Sequence, residues 1–212
     1  LEERKALLGI GVGLAMPEWQ GEPQPAGTLL VLHEQGMGDT LLMSRFFPSL
    51  AQKFARVVAC VQAPLARLLR AEFPEVTFVT SAEGVEADAW VATMSLPYRL
   101  GITSLDQVPN EPWLRVPSAP AREVCSRLRV GVNWAGNPGY AYDALRSTHL
   151  ATLAPLLAVE DVEWVSLHRG HLEHEAAEAG LPQPLATAMD FLDTAEVLRT
   201  CDLVISTETA VP

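Results

Sequence analysis

Cysteine is scarce, with only Cys60, Cys125 and Cys201 in 212 residues. They are scattered, odd in number and form no metal-type pair. That argues against a disulfide framework and for buried thiols in a reducing compartment. Positive charge is also short. Fifteen Lys and Arg face 26 Asp and Glu, for a formal net charge of −11. No basic stripe interleaves with aromatics, so the pattern argues against a nucleic-acid binder. No apolar stretch is long enough to cross a bilayer. Repeats and low-complexity tracts are absent. What remains is core material: 49% of the residues are hydrophobic, in a length that fits one large or two small domains.

The segment from Ala6 to Met16 is apolar and glycine-rich behind Arg4 and Lys5. Glu2 and Glu3 spoil the basic region that a secretory signal needs, and the cleavage site is poor. A cytoplasmic location is therefore expected. The chain begins at Leu1 rather than Met, and is expected to be a fragment or a product whose start was removed. Residues 1–26 read as a short helix and a lead rich in Pro and Gly.

The stretch Leu29-Leu30-Val31-Leu32-His33-Glu34-Gln35-Gly36-Met37-Gly38-Asp39-Thr40 organises the rest. An apolar run ends in a polar, glycine-flanked turn, and Leu41, Leu42, Phe46, Leu50 and Phe54 follow near helical spacing. That is a buried parallel strand, a tight turn and a helix. Open α/β sheets hold their ligands at such strand ends. Gly36 and Gly38 are expected to let the backbone turn sharply and approach a ligand. Asp39 suits a helix cap or a site carboxylate equally by type. The turn is not a dinucleotide fingerprint, since Leu41 stands where a third glycine or alanine belongs, nor a nucleotide-hydrolase phosphate loop, since no Gly-Lys-Ser/Thr exists.

Strands are predicted at 28–33, 56–61, 76–79 and 89–93, alternating with helices, and Pro48 is expected to kink or restart the helix after Asp39. Four prolines between Pro109 and Pro120 mark a boundary. A second α/β unit follows, with strands predicted at 129–134, 162–167 and 203–206 and helices at 150–157, 171–179 and 194–200. Three parts result: a lead (1–26), a first α/β domain (27–115) and a second (121–212). A parallel α/β sheet is the default for such alternation.

The ordered set of motifs resembles one family. It runs through Trp19-Gln20-Gly21-Glu22-Pro23, Glu34-Gln35-Gly36-x-Gly38-Asp39-Thr40, Met94-Ser95-Leu96-Pro97 and Val132-Asn133-Trp134-Ala135-Gly136-Asn137-Pro138. It continues through Arg146-Ser147, Val165-Ser166-Leu167-His168-Arg169-Gly170 and Asp190 to Ala195, and closes with Asp202 to Ala210. The set is similar to the bacterial glycosyltransferase domain related to ADP-heptose:lipopolysaccharide heptosyltransferases, family nine, found after tetratricopeptide repeats. The resemblance implies a GT-B architecture: two Rossmann-like parallel-sheet domains facing a cleft. It implies inverting transfer of a sugar from a nucleotide diphosphate sugar to an acceptor hydroxyl. The acceptor would be a glycan, lipopolysaccharide or protein.

The resemblance makes Asp39 the base, with Glu34, Gln35, Gly36 and Gly38 on the acceptor side. Trp134, Asn137, Arg146, Ser147, Arg169, Thr207, Glu208 and Thr209 fall on the donor and phosphate side. Arginine suits phosphate through its planar fork of donors. No cofactor is expected beyond the donor substrate. No metal is expected either, because no Asp-x-Asp motif exists to hold a divalent ion. The triplet His168, His171 and His174 matches no liganding pattern. Asp190 and Asp193 read as caps or turn residues. Relatives continue past the last motif into a helix and further strands, so the second domain is expected to be incomplete, with an open sheet edge that invites self-association. A non-catalytic binding or scaffold domain is the alternative.

Overall fold

The computed structural model describes residues 2–116 and 127–211. The expectations that fall on Cys125, on the end of the proline-rich boundary and on a second domain starting at 121 lie outside the described residues. The chain divides into two compact units, Leu1–Arg115 and Val116–Pro212.

The first unit opens with α1 (Arg4–Leu8) and β1 (Gln24–Leu32), followed by α2 (Met37–Ser44), α3 (Phe47–Ala51) and β2 (Phe54–Cys60). Then come α4 (Ala66–Glu72), β3 (Val76–Val79), β4 (Ala89–Ala92) and α5 (Leu96–Arg99). The four strands form one parallel sheet in the order β3-β2-β1-β4. Leu30 of β1 pairs with Val58 on one side and Trp90 on the other. Central parallel strands are covered on both faces and so need unbroken apolar runs. Leu29, Leu30, Val31, Val91 and Ala92 accordingly lose all exposure to solvent. The edge strand β3 alternates instead, with Val76 and Phe78 buried and Thr77 exposed. Pro48 restarts the helix as expected: α2 stops at Ser44, and Pro48 is the second residue of α3, where its missing N–H is not needed.

The second unit contains β5 (Leu128–Asn133), α6 (Ala154–Leu157), β6 (Val162–Ser166), α7 (His174–Glu178), α8 (Phe191–Leu198) and β7 (Leu203–Ser206). Its sheet is also parallel, in the order β6-β5-β7. Gly131 in the central strand is required by packing. A Cβ there would lie 2.3 Å from Leu167 Cδ1 and 3.2 Å from Cys201 Sγ. The two hydrophobic side chains lie directly on the strand because no side chain separates them from it.

Some element bounds differ from expectation, for local reasons. α8 begins at Phe191, three residues before the expected Thr194, because Asp190 is its cap and accepts from Leu192 N at 3.0 Å. Asp193 holds the preceding turn by accepting from Met189 N at 2.7 Å. α7 is shorter than expected, and His171 lies in the turn before it. The sequence pattern gave no sign of α5, which packs behind Met94-Ser95 with Pro97 in its first turn.

Candidate functional site

The polar turn after β1 is where the sequence puts it, at the carboxyl end of a central strand. Gly36 is the N-cap of α2 and Asp39 is its third residue. Asp39 Oδ2 accepts from Gly36 N at 2.9 Å. A carboxylate in the first helical turn also meets the positive end of the helix dipole. Its other oxygen accepts nothing from the described residues, and the side chain is half-buried. The turn uses no left-handed backbone at its glycines, since neither Gly36 nor Gly38 has a positive φ. Gly36 instead allows close approach: a Cβ there would sit 3.2 Å from Asp39 Oδ2. Gln35 is exposed, and its carbonyl accepts from Gln62 Nε2 at 3.0 Å. Gln62 Oε1 in turn accepts from Thr40 Oγ1 at 2.9 Å. Gln62, two residues past the end of β2, thus ties the turn to the helix that follows it.

Glu34 faces inward. Its side chain has no exposure, and Oε1 accepts from Arg4 Nη2 at 2.7 Å and from Met94 N at 2.8 Å. Arg4 also donates to Ser95 Oγ at 3.0 Å. Lys5 and Arg99 join the same cluster through Glu2 and Glu18. Three cations and three carboxylates therefore fasten α1 over the ends of β1 and β4. Burial alone would raise the Glu2 and Glu18 pKa values, but the bonds from Lys5, Ser95, Arg4 and Arg99 bring both below the usual carboxylate value. Glu34 is thus committed to its own chain, not open to an acceptor, and Oε2 is buried without a hydrogen bond.

In the second unit, Arg146 lies after the loop that leaves β5. Its Nε donates to Asp143 Oδ1 at 3.0 Å and its Nη1 to Glu208 Oε2 at 2.8 Å. Its guanidinium carbon lies 4.7 Å from the Tyr140 ring centroid. The bonds to Glu208 and Asp143 raise its pKa further. Asp143 is buried and would be pushed up by that alone, yet hydrogen bonds from Arg146 and Ser147 hold it below the usual range. Ser147 Oγ donates to Asp143 Oδ2 and accepts from Gly136 N, both at 2.8 Å. Gly136 has to be glycine because the guanidinium packs over it: a Cβ would lie 2.7 Å from Arg146 Nη2.

The ends of all three strands in this unit are joined by a network that centres on Asn133. Asn133 Nδ2 donates to Ser206 Oγ and Thr209 Oγ1, both at 3.1 Å, and Oδ1 lies 2.9 Å from His168 Nδ1. Thr207 N donates to the Asn133 carbonyl at 3.0 Å, while Thr207 Oγ1 is buried with no hydrogen bond. His168 is buried, and burial, with the nearby His171 second, lowers its pKa. The imidazole is then neutral near pH 7, with Nδ1 as donor to Asn133.

Of the other residues expected on the donor side, Trp134 does not line a site. It is fully buried, with its ring 4.6 Å from that of His168. Asn137 is exposed and caps its own turn by accepting from Gly139 N at 2.9 Å. Arg169 is exposed, donates to the Leu185 carbonyl and pairs with Glu173 at 3.5 Å. Sequence reasoning missed Arg4, Gln62, Asn133 and His168 as partners of these turns. Asn133 alone left a signal, as a polar residue ending an apolar strand.

The chain is similar in fold to a heptosyltransferase. Its structure matches that of the dodecameric iron-containing heptosyltransferase TibC in complex with ADP-D-β-D-heptose, with a TM-score of 0.58, 16% identity, and cover of 92% of this chain and 55% of that one. It also matches the iron-containing dodecameric glycosyltransferase TibC from enterotoxigenic E. coli, with a TM-score of 0.53, 15% identity, and cover of 88% and 54%. The chain thus spans about half the length of these structures. No family model and no curated protein matches the sequence. The likeness establishes an α/β fold with Rossmann-like parallel sheets. Iron is a different matter. Among the described residues no group of three or more His, Cys, Asp or Glu side chains is placed to hold a metal ion. The described residues thus offer iron no ligand set. Nor is any helix among the described residues long and apolar enough to cross a membrane.

Proposed function

We propose that the protein is a glycosyltransferase that moves a sugar from a nucleotide diphosphate sugar to an acceptor hydroxyl, with inversion and without a metal. One observation carries this reading: in a fold similar to a heptosyltransferase, the polar turns singled out from sequence lie at the carboxyl ends of parallel strands, where α/β sheets bind ligands. Asp39 takes the acceptor proton through its free oxygen as the hydroxyl attacks the anomeric carbon. The Gly36 N–H holds the other oxygen and so orients the carboxylate. The leaving diphosphate is met by Arg146, with the Thr207–Thr209 turn and Ser147 beside it. Gln35, with the turn it stands in, contributes to the acceptor side.

Two experiments test this. In a thermal-shift titration with ADP, UDP and GDP and their sugar conjugates, a ligand at a hundred times its dissociation constant adds about 2.7 kcal/mol of stability. One base should shift the protein, and Arg146→Ala should remove the shift. Asp39→Asn keeps the bond from Gly36 N and should lower transfer about 10²- to 10⁴-fold. Unchanged transfer in that variant removes Asp39 as the base.

A second reading has its own observation. Two carboxylates already hold Arg146, as expected of a binding or scaffold domain whose donor site has degenerated. Absence of a shift with every nucleotide would favour it.

A further inference from the structure

The environment of Arg146 carries an inference that rests on the donor-site reading and goes beyond it. The guanidinium offers an anion three edges. Asp143, buried and tied to Ser147, holds Nε. Glu208 holds Nη1 at 2.8 Å, and Tyr140 covers one face. Nη2 lies over Gly136 and donates to none of the described residues. A phosphate that takes the Nη1–Nη2 fork must therefore displace Glu208. Displacement is feasible because the Glu208 side chain is 83% exposed and has no other hydrogen bond among the described residues. Asp143 is built in, whereas Glu208 is removable.

We propose that Glu208 is a specificity-determining residue that discriminates donor from product by charge. Glu208 takes the phosphate position on Arg146 when the site is empty. Once displaced, it stays beside the diphosphate as a negative charge. Transfer breaks the bond between the anomeric carbon and the phosphate oxygen, and the electron pair stays on that oxygen. The acceptor's proton goes to the base, so the product diphosphate has one more ionisable oxygen than the donor. Terminal phosphates lose their second proton near pH 6, so above that the product carries almost one extra negative charge. Glu208 repels the product more than the donor and speeds its departure. Without it, Arg146 would hold the more charged species more tightly.

The test is calorimetric titration of wild type, Glu208→Gln and Arg146→Ala with ADP, ADP-glucose and inorganic pyrophosphate at pH 8, with the UDP and GDP pairs beside them. Glutamine keeps the shape and a hydrogen bond to Arg146 while removing the charge. Glu208→Gln should bind the diphosphate about fivefold more tightly and the sugar conjugate about twofold, a modest gain because the charge is exposed. Both gains should shrink in 0.5 M salt, which screens exposed charges within roughly 4–5 Å. Equal gains for product and donor, or no gain while Arg146→Ala still abolishes binding, overturn the proposal and leave the donor site standing. Binding of no nucleotide and no pyrophosphate by wild type or Glu208→Gln overturns the donor site and the proposal together.

Discussion

Arg4→Ala is the perturbation with the clearest expected size. Glu34 has no exposed side-chain surface, and two donors serve its Oε1: Arg4 Nη2 at 2.7 Å and Met94 N at 2.8 Å. Removing Arg4 leaves a buried carboxylate with one backbone donor. Breaking a buried pair in this way costs about 3–5 kcal/mol. The Arg4 side chain is 15% exposed, so water screens the pair somewhat and we expect about 2–4 kcal/mol. Glu34→Gln keeps the shape and the acceptor for Met94 N, and should cost only about 1–2 kcal/mol. The informative variant is the double one. If the cost in Arg4→Ala comes from an uncompensated charge, adding Glu34→Gln removes that charge. The double variant should then be more stable than Arg4→Ala alone, which requires a coupling larger than the cost of Glu34→Gln, about 2–3 kcal/mol.

Bulk tryptophan fluorescence would blur the result, because Trp134 and Trp164 lie in the other unit. Hydrogen exchange of the β1 and β4 amides reads the opening energy locally. A cost below about 0.5 kcal/mol for Arg4→Ala, or a double variant that merely adds the two single effects, would refute the argument that α1 is fastened through a desolvated charge pair.

Other expectations are more compact. Gly131→Ala should destabilise the second unit by about 1–3 kcal/mol, measured by urea unfolding, because its Cβ has to push Leu167 off the central strand. Trp134→Ala should cost about 3–5 kcal/mol there, as the loss of a fully buried indole, and a cost near zero would return Trp134 to the surface. Stability should also depend on pH. The folded pKa values of His168 and His33 are lowered mainly by burial, while the unfolded chain takes up protons near 6.5. Stability is therefore full above pH 6.5 and falls as pH drops below it. His168→Gln should flatten that slope in a thermal-denaturation series. Glu2 and Glu18, lowered below 4.5, give a second loss as pH falls under 4.5, and that loss should persist in His168→Gln.

The residues legible in the sequence are those whose signal is local. Leu29-Leu30-Val31 reads as a buried strand because both faces are apolar, and Pro48 restarts a helix wherever it stands. Asp190 as a cap depends only on the next three residues. What escaped depends on distance along the chain. Arg4 meets Ser95 across 91 positions, and Arg146 meets Glu208 across 62. No periodicity encodes such pairs. Gly136 and Gly131 escaped for the same reason: a guanidinium and a leucine side chain from later in the chain pack where a Cβ would stand.

The two units arrange polar groups at strand ends in the same layered way, with different residues. In the first unit the inner carboxylate, Glu34, is consumed by the N-terminal helix, and the outer one, Asp39, keeps an oxygen free. In the second, Asn133 and His168 are consumed within the network, and the hydroxyls and backbone of the β7 turn are held in position by it. In both, a buried group with fixed partners lies beneath a less buried group that retains some freedom. That is how a rigid sheet presents a reactive group: the buried residue fixes the turn, and the outer residue meets the ligand. Asn133→Asp should therefore weaken nucleotide binding without touching nucleotide. It replaces the donor to Ser206 and Thr209 with a buried charge, and Thr207 to Thr209 lose their fixed position. Asn133→Ser would keep a smaller donor without the charge and should lose less. If titration of the two variants instead gives equal affinities with unchanged stability, the turn does not depend on Asn133, and the layered arrangement has no part in holding the donor.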